Sequence, residues 1–100
     1  MRKVTVILEP RRLMKDSKGR TWMGMNKMAA KPNNFKKIKN IEVQKGLPKH
    51  ILKNTERHEY IEQQLMKRGV SYKHAHKIAL EKEKHALKGV KFIERKVKGR

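Results

Sequence analysis

Between Leu65 and Tyr72 the sequence ends one helix and begins another within three residues, and few folds accommodate that. Lys67 and Arg68 sit where a helix C-terminus attracts positive charge, Gly69 supplies the left-handed turn, and Ser71 is a good N-cap. Upstream, Thr55 is expected to cap the first helix, with Glu56 and Glu59 in its first turn. Downstream, a second helix is expected over residues 72–88, closed by Gly89. Its Tyr72, Ala75, Ala79, Leu80, Ala86 and Leu87 fall on one face. Helices joined only by Gly69-Val70-Ser71 fold back as an antiparallel pair. Facing positions then sum to about 141, which sets His58 opposite Glu83 and Glu62 near Ala79 and His76.

The first half has a different texture. Lys3-Val4-Thr5-Val6-Ile7-Leu8 is apolar and β-branched, the composition of a buried strand, and Pro10 stops it. Asp16-Ser17-Lys18-Gly19 is a turn signal, so a hairpin is expected, with its second strand over residues 20–25. Ile38, Ile41 and Val43 suit a further strand ended by Gly46, and residues 90–97 suit either a strand or a basic tail. The expected fold is therefore a single α+β domain. A small N-terminal antiparallel β-hairpin or sheet (residues 1–46) is followed by the helical hairpin (55–88) and a basic tail (90–100).

Twenty-eight Lys and Arg against nine Asp and Glu give a formal charge of +19 over 100 residues. That much like charge opposes compaction, and a polyanion relieves it while releasing counterions. Nucleic acid is the expected partner, ahead of acidic proteins or an anionic membrane surface. Lys outnumbers Arg by 20 to 8, which favours phosphate contact over base-edge readout, and RNA is placed slightly ahead of duplex DNA. Residues 1–54 hold 15 of the cations against 3 acids, so the β-rich half is the expected phosphate-binding surface. The residues singled out are Arg11, Arg12, Lys15, Lys18, Arg20, Lys36, Lys37 and Lys39, with Arg95, Lys96 and Lys98 of the tail. With no Cys, disulfides, thiolate catalysis and Cys-based zinc fingers are excluded. Val6-Ile7-Leu8 is too short for a signal core or a membrane span, and a cytoplasmic setting is expected.

All five His lie between positions 50 and 85. The antiparallel pairing would gather His58, Glu62, His76 and Glu83 at the seam between the helices. Such a cluster supports general acid–base catalysis on an RNA 2′-hydroxyl, or divalent-metal ligation by His58, Glu62 and His76. It equally supports a purely structural or surface role, since a helical His one turn from a Glu is common. Residues 57–61, Arg-His-Glu-Tyr-Ile, open like the zinc-protease pattern but lack its second His, so that motif is absent. No cofactor is required by the sequence. Trp22, flanked by Arg20 and Met23, suits base stacking, although a lone Trp more often anchors a core. No phosphate-cradling glycine loop is present.

The stretch His58-Glu59-Tyr60-Ile61-Glu62 … Leu65 … Gly69-Val70-Ser71-Tyr72 … Ala75-His76 … Ala79 resembles a helix pair of small phage- and mobile-element-borne basic proteins, some of them nuclease-toxin-like. The likeness covers residues 58–79 and implies that His58, Glu59, Tyr72 and His76 are the positions to test. Three functions remain open: nucleic-acid binding without catalysis, a small nuclease built on the His and Glu residues, and a ribosome-associated or phage-type inhibitory protein.

Overall fold

A computed structural model of the chain describes residues 2–15, 18–26 and 40–96. Asp16 and Ser17 of the turn, Ile38, Lys36, Lys37 and Lys39, and Lys98 lie outside the described residues. Four strands, β1 (Arg2–Glu9), β2 (Gly24–Asn26), β3 (Ile41–Gln44) and β4 (Val90–Lys96), form one sheet in the order β2-β3-β1-β4. Two helices, α1 (Lys49–Lys67) and α2 (Tyr72–Lys82), connect β3 to β4.

The sheet is mainly parallel, which overturns the expected antiparallel hairpin. β1 runs parallel to β3, with Val6 opposite Ile41 and Leu8 opposite Val43. It also runs parallel to β4, from Arg2 opposite Val90 to Leu8 opposite Lys96. Only β2 is antiparallel, and its neighbour is β3 rather than β1. What survives of the hairpin is local. Lys15 and Thr21 form an antiparallel bridge, and the Trp22 N–H donates to the Met14 carbonyl at 2.7 Å. The reason lies in β1 itself, whose nearly unbroken apolar run suits a central strand with a neighbour on each edge.

The helical hairpin forms, with two changed boundaries. α1 starts at Lys49 after Pro48, six residues before Thr55, and Thr55 is a buried interior residue whose hydroxyl donates to the Ile51 carbonyl at 2.7 Å. The earlier start lets Leu52 join the core. α2 ends at Lys82, short of the expected residue 88. Six more helical residues would carry the chain about 9 Å onward. Instead the chain turns, Leu87 packs on the core, and Gly89 at φ +73 directs it into β4. Residues 90–96 are thus a paired strand and not a tail. Ser71 caps α2, accepting from the His74 N–H, and Gly69 at φ +93 closes α1.

The core comprises Val4, Val6, Ile41, Val43 and Tyr60, with Leu8, Leu47, Leu52, Leu87, Val90 and Phe92 packed around it. Each fully buried aliphatic among them contributes roughly 1.5–3 kcal/mol. Tyr60 meets Phe92 edge-on, with ring centroids 5.9 Å apart. Trp22 is no core anchor: it is 37% exposed, and Met14, fully buried, holds that segment down instead. Because α1 gives Leu52 and Tyr60 to the sheet, its opposite face, bearing His58 and Glu62, is left for α2. No helix among the described residues is long and apolar enough to cross a membrane.

Candidate metal centre

The seam between α1 and α2 is narrow because α2 presents two alanines to it. Ala75 and Ala79 are both fully buried and leave little side-chain bulk between the helices. Arg57 fixes the far end: its Nε donates to the Glu83 carbonyl at 2.6 Å, and its Nη2 donates to Asn54. Into this seam α1 projects His58 and Glu62, one turn apart, and α2 projects His76.

The three side chains converge on one point. Glu62 Oε2 lies 2.6 Å from His58 Nε2 and 2.6 Å from His76 Nδ1, and the two ring nitrogens are 3.1 Å apart. One ligand atom from each residue falls within 4.8 Å of the others. The imidazoles cross at 75°, with centroids 4.8 Å apart. Glu62 and His58 are nearly sealed, with side chains 2% and 10% exposed, whereas His76 at 42% opens the group to solvent.

Around these three stand further polar groups. Glu83 Oε1 lies 3.6 Å from His58 Nδ1, the ring nitrogen turned away from Glu62. Glu59 Oε2 lies 3.9 Å from His58 Nε2. Burial works against a charged His58 ring. The hydrogen bond to Glu62 and the charges of Glu59, Glu62 and Glu83 outweigh it, so the pKa lies above the ordinary imidazole value. Tyr72 packs against His76, with centroids 5.7 Å apart. Burial, then the charges of Glu62 and Glu59, hold its phenol above the usual value.

Two imidazole nitrogens and a carboxylate oxygen are the donor set of catalytic zinc sites. Tetrahedral bonds of about 2.1 Å would put the ligand atoms about 3.4 Å apart. The observed separations need to widen by less than about 1 Å to reach that, and the half-exposed His76 has room to move. The order of residues is also instructive. In the zinc-protease helix a His is followed at once by a general-base Glu, and the second ligand comes one turn after the first. Here Glu59 follows His58, the position one turn on is Glu62, and His76 would be a third ligand. The candidate ligand set is two His and one Glu, with its members exchanged between positions.

The other sequence-selected residues sit elsewhere. Arg11 and Arg12 are exposed on a 3-10 turn after β1, Lys15, Lys18 and Arg20 are exposed in the β1–β2 connection, and Arg95 and Lys96 are exposed at the end of β4. Gly24, which the sequence marks only as a strand residue outside any phosphate-cradling loop, has a further role. Gly24 on β2 lies so close to α1 that a β-carbon there would meet Thr55 Cγ2 at 2.6 Å and Glu59 Cγ at 2.7 Å. A glycine inside a strand was the available signal.

No protein-family model, curated protein or solved structure matches the chain.

Proposed function

We propose that this chain is a metal-dependent hydrolase of nucleic acid, holding a divalent cation of the zinc type on His58, Glu62 and His76. The observation that carries the reading is the convergence of these three ligand atoms within 4.8 Å, in a seam open to solvent on one side. Two nitrogen ligands favour zinc or a neighbouring transition metal over magnesium. Glu83, beside the outer nitrogen of His58, would orient that ring, as carboxylates do behind metal-bound histidines.

Held by His58, Glu62 and His76, a metal would lower the pKa of a bound water and draw charge from a phosphoryl oxygen. The chain's own residues supply the rest. Glu59 takes a proton from the attacking water, whose oxygen forms a bond to phosphorus. The bond from phosphorus to the leaving sugar oxygen breaks, and Glu59 returns the proton to that oxygen. Tyr72, packed on His76, would donate a hydrogen bond to the charge that develops. The net charge of +19 is what favours a phosphodiester substrate.

A second reading has its own support: the exchanged zinc-protease order of His58, Glu59 and Glu62 serves peptide hydrolysis equally well. The test begins with metal content, since the same donor set also holds ferrous iron in oxygenases. The purified chain should bind one zinc equivalent and cleave RNA or DNA, and EDTA should abolish cleavage. Full cleavage in EDTA would instead favour metal-free His catalysis. An inert chain that binds nucleic acid tightly would leave a binding protein.

A further inference from the structure

The parallel sheet brings basic residues from distant parts of the chain to one edge. β1, β3 and β4 all end on the same side, so Arg11 and Arg12 after β1, Lys45 after β3 and Lys96 in β4 share it. The Lys45 N–H donates to the Glu9 carbonyl at 2.8 Å, and Lys96 lies opposite Leu8, which ties these segments together. All four cations are exposed. β2 enters at the same edge, because Gly24 pairs with Val43 and the Gln44 N–H donates to the Met23 carbonyl at 2.7 Å.

Trp22 stands at this edge. It is 37% exposed, and Met23 at 54% and Leu13 at 46% are exposed in the same part of the chain fold. The segment is held in place: the Trp22 backbone N–H bonds to the Met14 carbonyl, Lys15 bridges Thr21, and Met14 is fully buried. The Arg20 guanidinium lies 6.0 Å from the indole centroid. Two residues beyond Trp22 comes Gly24, against Glu59. Extended chain geometry limits the Cα separation of residues 22 and 24 to roughly 7 Å. Along the chain, Trp22 therefore lies two residues from the strand position that abuts the base assigned to the metal centre.

We infer that this edge is the substrate track, and that it takes single-stranded nucleic acid, one base stacked on Trp22 and the flanking phosphates on Arg11, Arg12, Lys45 and Lys96. This rests on the nuclease reading and narrows its substrate class. Charge complementarity identifies a polyanion, and the exposed indole identifies its form. A base offers its face to an aromatic ring only when it is unstacked, which duplexes do not permit. An acidic polypeptide would satisfy the cations but has no regular supply of flat rings.

Trp22 is the sole tryptophan, so the intrinsic fluorescence of the full chain reports on this position alone. Titration with oligothymidylate or polyuridylate should quench it, and a duplex of equal length should quench it much less. Labelled single strands should bind Trp22→Ala roughly 10-fold or more weakly, and Trp22→Phe should recover most of the loss. Zinc content should not change in either variant. Equal quenching by duplex and single strand, or unaltered affinity in Trp22→Ala, would overturn the track while leaving the metal centre intact. Quenching by an unfolded acidic polypeptide, together with cleavage of that polypeptide, would also overturn it, in favour of peptide hydrolysis. Strong quenching in a chain that takes up no zinc would uphold the track and sink the nuclease.

Discussion

Gly24 and Glu59 are in contact across the junction of β2 and α1, with so little space that a methyl group on Gly24 would stand 2.7 Å from Glu59 Cγ and 3.0 Å from its Cδ. The absence of a side chain on the strand thereby sets where the carboxylate can lie. Gly24→Ala should push Glu59 aside, or part β2 from α1 at a cost of about 1–3 kcal/mol. Turnover is expected to fall at least 10-fold with zinc affinity nearly unchanged. Parallel measurement of zinc binding and cleavage checks this, and an equal loss of both would show that the helix itself had moved.

The three ligands should fail together in metal binding. His58→Ala, Glu62→Ala and His76→Ala are each expected to abolish stoichiometric zinc uptake, and Glu83→Gln should weaken it about 10-fold. Zinc should also raise the melting temperature of the unaltered chain. At a thousandfold excess over the dissociation constant, binding contributes about 4 kcal/mol. Differential scanning calorimetry with and without zinc would reveal a purely structural cluster by the absence of any shift.

Glu59→Gln separates chemistry from binding. The variant should keep its zinc and its affinity for oligonucleotide, and lose about 10²–10⁴-fold in turnover. Retention of more than a tenth of the activity would remove Glu59 from the mechanism.

Glu56 should impose a pH dependence on stability. It is fully buried, with Lys53 Nζ 3.3 Å from Oε1, and Glu94 pairs with the same lysine at 3.3 Å. Burial pushes its pKa up to about 7, the charge of Glu94 adds to the rise, and Lys53 offsets only part of it. The folded chain thus holds this proton more tightly than the unfolded chain does. The stabilising contribution is full below about pH 4.5 and is lost as the pH rises through about 7. Glu56→Gln keeps the volume and removes the ionisation, so it should melt higher than the unaltered chain at pH 8 and nearly together with it at pH 4.5. Thermal melts at the two pH values decide the matter.

Salt dependence gauges the phosphate contacts. Plotted against log salt concentration, log affinity for a single strand should fall linearly, and Arg11→Ala or Arg12→Ala should each shallow the slope by about 0.7. An unchanged slope would place the polyanion on another surface.

Much of the helical half was legible. Gly69 and Ser71 mark the turn by local backbone chemistry, which needs no tertiary partner to act, and i, i+4 spacing put His58 and Glu62 on one face of a helix. The start of α1 was misread because Thr55 is a good cap in isolation. Packing Leu52 on the core favours a longer helix, and the Thr55 hydroxyl is satisfied inside it. The sheet was misread because turn residues near Gly19 imply a hairpin locally but cannot say which strand lies beside β1. The run from Val4 to Leu8 already had the composition of a central strand.

By itself, then, the amino-acid order determined the helical hairpin, the excess of positive charge and the set of residues able to meet at the seam. These follow from short-range periodicity, capping and composition. Only the tertiary structure decided that β1 lies between two parallel partners, that Gly24 abuts Glu59, and that Trp22 is exposed beside Arg20 and not buried in the core. Each of these depends on contacts between residues far apart in the chain, where burial of the whole sheet outweighs any local preference.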